Sequence, residues 1–130
     1  LSIMDLLLDT HSFLWFAEND EQISIRARHE IEDTGNRCFL SIASLWELAI
    51  KFSLDKLKLN RPFDIIPELL NNNNIEILPI QFKHLRQLLI LPTHHRDPFD
   101  RLILSQAIAE NFVIVPKDGI FEKYTSNVIW

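Results

Sequence analysis

The sequence predicts an α/β domain, a sandwich of helices around a mostly parallel sheet, and three observations carry that prediction. Short apolar runs alternate with amphipathic stretches along the whole chain. None of those runs exceeds the length of a buried strand. The amphipathic stretches are punctuated by residues that start and stop helices.

Leu6-Leu7-Leu8 reads as a buried strand that stops at Asp9-Thr10, and Ser12 to Ala17 as a short helix. Ser24 to Asp33 is a second helix with Ala27 and Ile31 inward, ended by Gly35-Asn36. Cys38 to Leu40 is strand-like, and a helix beginning at Ser44 sets Leu45, Leu48, Ala49 and Phe52 on one face. Pro62 opens a helical stretch that runs into the polar turn Asn71 to Asn74. Ile75 to Ile80 alternates weakly, as a strand does, and Phe82 to Leu91 is helical up to Pro92. Asp97-Pro98 opens the strongest helix, through Leu102, Ile103, Ala107 and Ile108. Phe112 to Val115 is a strand, Asp118 follows it, and Val128 to Trp130 is expected as a last edge strand.

A chain of 130 residues fits one domain with a real core. Residues 1–3 precede Met4, a candidate natural start, and read as non-native or pre-start. With 47% hydrophobic and 24% charged residues the composition is that of a soluble globular protein. Two glycines exclude a glycine-rich phosphate loop. No apolar run approaches the roughly 20 residues of a membrane helix, and the opening Leu-Ser-Ile-Met lacks the parts of a secretory signal. Cys38, the one cysteine, rules out an internal disulfide and a zinc–thiolate site, and reads as a small buried hydrophobe. A reducing, cytoplasmic setting is expected. The net charge of −5 argues against a protein that coats nucleic acid by bulk electrostatics. It leaves a nuclease open, because metal ions reverse the sign of an acidic site locally.

Open α/β sheets gather ligands outside the carboxyl ends of their strands. Asp9 ends the first strand and Asp118 follows the Phe112 to Val115 strand, so the two share a rim if those strands are neighbours. Glu47 and Asp100 are expected in the first turns of helices at the same rim. Four carboxylates this close need cations between them, and hard divalent ions such as Mg²⁺ or Mn²⁺ suit oxygen ligands. Such ions activate water and stabilise the attacking and leaving oxygens of a phosphodiester. Each acid also has a structural alternative. Asp97 before Pro98 is an N-cap, which puts Asp100 at a position the helix dipole favours. Ser44-x-x-Glu47 matches a capping box, and Asp9 and Asp118 are each able to cap a following helix. Capping alone does not explain why all four fall at one edge.

Thr10 and Ser41 are candidates to bond a metal-held water, against the alternative of satisfying backbone. His94 and His95 are adjacent, so their side chains point apart in an extended loop. Arg96 and Arg101 flank the acids, either as phosphate clamps or as neutralising charges. Lys51, Lys56, Lys58 and Arg61 form a basic stretch, a potential track for an RNA backbone, and Lys51 is also an i,i+4 partner of Glu47. Trp15, Trp46 and Phe99 read as core residues rather than stacking platforms.

Four segments occur in order: Leu6-Leu-Leu-Asp9-Thr10-His11, Ser41-Ile-Ala-Ser44-Leu-Trp-Glu47-Leu-Ala-Ile-Lys51, His94-His95-Arg96-Asp97-Pro98-Phe99-Asp100-Arg101 and Val115-Pro-Lys-Asp118-Gly-Ile-Phe121. The series resembles the PIN-domain ribonucleases, and among them the VapC-type toxins of prokaryotic toxin–antitoxin pairs. It spans nearly the whole chain. The resemblance implies a three-layer α/β/α fold with Mg²⁺ or Mn²⁺ on a carboxylate quartet, here Asp9, Glu47, Asp100 and Asp118. Thr10, Ser41, Asp97, Arg96, Arg101 and Lys51 then take supporting or substrate-facing places. One departure is Pro116, which stands where the family often has a threonine or serine two residues before the last aspartate. The resemblance further implies endonucleolytic hydrolysis of RNA leaving a 5′-phosphate and a 3′-hydroxyl, a homodimer, and a cognate antitoxin over the acidic groove. Alternatives are a PIN nuclease acting in RNA maturation or on DNA, a catalytically inactive PIN-fold interaction module, and a phosphorylation-receiving signalling domain. The last would leave Glu47 without a job.

Overall fold

In the computed structural model, residues 3–57, 61–93, 97–117 and 119–130 are described. Four parallel strands form one sheet in the order β3-β2-β1-β4, with β1 at Asp5–Leu8, β2 at Arg37–Ser41, β3 at Ile75–Leu78 and β4 at Val113–Val115. Helices α1 (Thr10–Ala17), α2 (Ile25–Glu32), α3 (Ile42–Ser53), α4 (Ile66–Asn72), α5 (Phe82–Ile90) and α6 (Pro98–Glu110) connect and cover them.

Central strands of a parallel sheet are buried on both faces and therefore apolar throughout, as Leu6, Leu7 and Leu8 are. Side chains alternate across the sheet. Leu6 and Leu8 join Cys38, Leu40, Ile75 and Val115 in a core closed by α1 to α4, through Phe13, Ala27, Leu48 and Leu70 among others. Leu7, Phe39, Leu78 and Ile114 face the other way, against Ile103, Leu104 and Ala107 of α6 and Leu88 of α5. Two cores on opposite faces make the expected three-layer α/β/α sandwich. Ala27, Ile31 and Cys38 are buried as expected, and Sγ of Cys38 contacts the Ile31 carbonyl oxygen at 3.7 Å.

Two glycines leave the left-handed positions behind helices to other residues. Asn19, Asp55, Asn74 and Asn111 take positive φ, 55° to 58°, near the ends of α1, α3, α4 and α6. Asn and Asp tolerate that region best among residues with a Cβ. Several boundaries differ from expectation, among them β3, which ends at Leu78 rather than Ile80, and β4, which starts at Val113 rather than Phe112. Helix α1 starts at Thr10, because Asp9 rather than a later residue caps it. Helix α3 starts at Ile42, because the Ser41 hydroxyl accepts the Ala43 N–H and caps it three residues early. Residues 128–130 form no strand: Val128 makes a single parallel bridge to Ile114, whose N–H donates to the Asn127 carbonyl and whose carbonyl accepts the Ile129 N–H.

Strand order dictates where a site can form. From β1 the chain moves outward through β2 to β3, then returns to place β4 on the other side of β1. The connections on either side of the β1/β4 pair thus diverge, opening a crevice at the carboxyl ends of those strands.

Candidate active site

Asp9 is the first residue beyond β1, and its backbone N–H donates to the Val115 carbonyl of β4 at 3.0 Å. This pins it in the β1/β4 crevice. Oδ1 accepts the Ser12 N–H at 2.8 Å, and Oδ2 accepts the Lys117 N–H from the loop after β4 at 3.0 Å. The carboxylate therefore caps α1 and ties down the loop that leads to position 118. Asp9 is only 1% exposed. Burial pushes its carboxyl up to about 6, the Ser12 and Lys117 donors pull it down, and the negative charge of Asp100 pushes it up again. Two candidate acids from distant parts of the chain are thus within electrostatic reach of each other.

Glu47 is also buried, at 6% exposure. It is the sixth residue of α3, in the second turn rather than the first, so no capping box forms with Ser44. Both side chains turn instead toward α1. Thr10 Oγ1 donates to Glu47 Oε1 at 2.6 Å and lies 2.9 Å from Ser44 Oγ. A hydroxyl has one proton, so with Thr10's given to the carboxylate, the contact with Ser44 uses the serine's own. Glu47 Oε2 pairs with Lys51 Nζ at 3.0 Å, the i,i+4 pairing that spacing suggested. Thr10 follows Asp9 directly, so this bond ties Glu47 to the residue after the first-strand acid. Ser44 is the member of the site that sequence reasoning missed; its i,i+3 spacing from Glu47 on one helical face was the available signal.

Asp97 is the N-cap of α6, its Oδ1 accepting the N–H groups of Phe99 at 2.9 Å and Asp100 at 3.1 Å. It fixes the turn that carries Asp100, which is half-buried. Arg101 reaches the Pro92 carbonyl at 3.0 Å and the Leu91 carbonyl at 3.5 Å, bracing the segment after α5. Ser41 is fully buried, donating its hydroxyl to Gln106 Oε1 of α6, so it acts as a cap and a core bond rather than facing a ligand. Gln106 in turn donates to the Pro79 carbonyl at 3.2 Å and approaches the buried His84. His84 accepts the Gln81 N–H on Nδ1, which leaves Nε2 as the donor to Glu110. This buried polar network locks α5 and α6 to the ends of β2 and β3.

The expectation that Trp46 is core is wrong. The residue is 61% exposed, its ring in edge contact with half-buried Phe99 at 5.3 Å between centroids. Helix α3 turns Glu47 and Leu48 inward, which leaves position 46 facing solvent. Trp15 does pack against the core. Asp118, His94, His95, Arg96 and Lys58 lie outside the described residues. Among the described residues no group of three His, Cys, Asp or Glu side chains is arranged to hold a metal ion. The chemistry of the donor set nevertheless fits a hard cation: all the candidates are carboxylates, and a buried one with a raised pKa gains most from a positive charge.

A parallel α/β sandwich with buried acids at its topological switch point defines a class of ligand-binding domains whose chemistry sits at the strand ends. The chain belongs to the PIN domain family, whose pattern it matches over residues 6–127. Domains of this family are in general nucleases that use divalent metal ions. Among solved structures the chain is similar to the crystal structure of VapBC2 from Rickettsia felis bound to a DNA fragment from their promoter. The TM-score is 0.69 at 22% identity, covering 97% of this chain and 96% of that one, a likeness of fold. No curated protein matches. Among the described residues, no helix is long and apolar enough to cross a membrane.

Proposed function

We propose that this chain is a metal-dependent endoribonuclease and the toxin of a toxin–antitoxin pair. The observation that carries the reading is Asp9: an acid buried at the β1/β4 crevice, raised by burial and by Asp100, and adjoining Glu47 through Thr10. Asp9, Glu47, Asp100 and Asp118 would hold Mg²⁺ or Mn²⁺. Such an ion supplies an activated water and charge stabilisation at the phosphodiester. The chain's own part is to fix the ligands: Ser12 and Lys117 orient Asp9, Thr10 and Lys51 orient Glu47, and Asp97 orients Asp100. Substrate is RNA, hydrolysed to a 5′-phosphate and a 3′-hydroxyl in the cytoplasm. The described fold neighbour, a VapBC complex, supports a cognate antitoxin as partner, and a homodimer is the proposed assembly.

The test compares RNA cleavage by wild type and Asp9→Asn with Mg²⁺ or Mn²⁺, each with and without chelator. Wild type is expected to cut only with metal, and Asp9→Asn to lose at least a hundredfold in rate, on the order expected for a removed metal ligand or its supporting partner. Undiminished cleavage by the variant removes Asp9 from the mechanism and the reading with it.

A further inference from the structure

The loop after β4 is tied at two points to one residue. Asp9 donates its N–H to the Val115 carbonyl at 3.0 Å, and its Oδ2 accepts the Lys117 N–H at 3.0 Å. Between them stands Pro116, buried and with φ fixed by its ring. Positions 115–117 therefore form a short rigid bracket around Asp9. The Lys117 nitrogen is one bond from its Cα, so the lysine side chain starts within about 4.5 Å of the buried carboxylate. A four-carbon stem lets its ammonium sweep about 6 Å from there.

The fold uses the main chain of Lys117 and leaves its side chain over. The residue is exposed, and among the described residues its ammonium has no ion pair. Lys51 and Arg101, by contrast, are committed to Glu47 and to the Leu91 and Pro92 carbonyls. Solvent serves a lysine anywhere on a surface; the rigid root at Asp9 is what sets this one apart. A metal ion on Asp9 shares its shell with the phosphate it acts on, so that phosphate falls within the reach of Lys117. We propose that the Lys117 ammonium contacts a non-bridging oxygen of the scissile phosphate and so holds the RNA strand against the acids. Hydrolysis builds negative charge on those oxygens, and a cation beside them offsets it without giving up a proton. Such a contact reads the backbone and not the bases. The inference rests on the ribonuclease reading above and names a further residue of that same site.

The experiment compares wild type with Lys117→Met and Lys117→Arg, substitutions that keep the backbone N–H on Asp9. Thermal unfolding is expected to be the same in all three. In cleavage of a single-site oligoribonucleotide with Mn²⁺, Lys117→Met is expected to lose about thirtyfold in kcat/KM, and Lys117→Arg to recover most of it. Mn²⁺ affinity by calorimetry is expected to change by less than about twofold; several-fold tighter binding in Lys117→Met would assign the ammonium to the carboxylates, as for Lys51, and overturn the proposal. A binding cycle on cleavage-deficient Asp9→Asn protein supplies a readout other than activity. Replacing the phosphate at the cleaved position by a neutral methylphosphonate is expected to weaken oligoribonucleotide binding about fivefold in Asp9→Asn, and hardly at all once Lys117→Met is added. An equal penalty in both, or unchanged kcat/KM in Lys117→Met, overturns the proposal even where cleavage itself depends on Asp9. No cleavage by wild type with either metal removes the ribonuclease reading, and the contact with it.

Discussion

Ionising Asp9 in the metal-free protein costs stability, and the cost follows from where the side chain lies. Its folded carboxyl titrates at about 6 against an ordinary value of 3.8, a gap equivalent to about 3 kcal/mol. Almost none of this is relieved by solvent, since the residue is 1% exposed. A raised carboxyl means that the folded state holds its proton more tightly than the unfolded chain does. Unfolding stability of the metal-free protein is therefore expected to fall by about 3 kcal/mol as pH rises from about 4 to somewhat above 6, then level off. Glu110 works in the opposite sense. Its ion pair with Lys83 lowers its pKa, so its contribution is present above the usual 4.5 and is lost only as pH falls below that. Of these two carboxyls, Asp9 is the one that acts between about 4.5 and 6.5. Urea unfolding in chelator across that interval measures the slope. Asp9→Asn carries no titrating carboxyl and is expected to flatten the slope, at a level below that of the protonated wild type because Nδ2 cannot accept one of the two N–H groups that Asp9 holds. Mn²⁺ at a thousandfold its Kd is expected to add about 4.1 kcal/mol to wild type alone, more than offsetting the cost of ionising Asp9. Wild-type stability that is flat or rising over this interval, paralleled by Asp9→Asn, would refute the reasoning.

Two further predictions concern Glu47. Thr10→Val keeps the shape of residue 10 but removes the donor at 2.6 Å from a buried carboxylate, so stability measured by thermal unfolding is expected to drop by about 1.5–3 kcal/mol, while Thr10→Ser largely retains it; equal loss in both variants would assign the effect to packing. Lys51→Met removes the cation at 3.0 Å from Glu47 Oε2, so calorimetry is expected to show tighter Mn²⁺ binding by several-fold, and unchanged or weaker binding would place Glu47 outside the metal site.

The order and type of nearly every element was legible because each depends on local signals: the apolar Leu6 to Leu8 run, the Asp97-Pro98 start, and the asparagine run, of which Asn73-Asn74 make the turn while Asn71 and Asn72 still belong to α4. Boundaries failed where two local signals compete. Ser41 and Ser44 are both good N-caps, and only the tertiary contact decides between them, since Gln106 and the Ala43 N–H claim Ser41 while Thr10 claims Ser44. Burial of Trp46 was illegible for a related reason. Hydrophobicity predicts that a tryptophan goes inside, but helical phase sets its direction, and a helix whose Glu47 must face α1 has no choice about where residue 46 points.

The candidate site shows why capping and the proposed ligand role were hard to separate from sequence, since both fall on the same atoms. Asp9 caps α1 through Oδ1 and holds the 117 backbone through Oδ2, and each oxygen keeps a second lone pair for another partner. Those two N–H donors are what make a buried carboxylate tolerable at all before any cation arrives. The cap bonds therefore also serve to hold and aim a buried carboxylate, as the proposed ligand role requires. Asp97 makes the contrast: it caps α6 through one oxygen that accepts the N–H groups of Phe99 and Asp100, and so positions Asp100. What distinguishes the two aspartates is the strand order, which sets Asp9 alone at the point where the connections around β1 and β4 part.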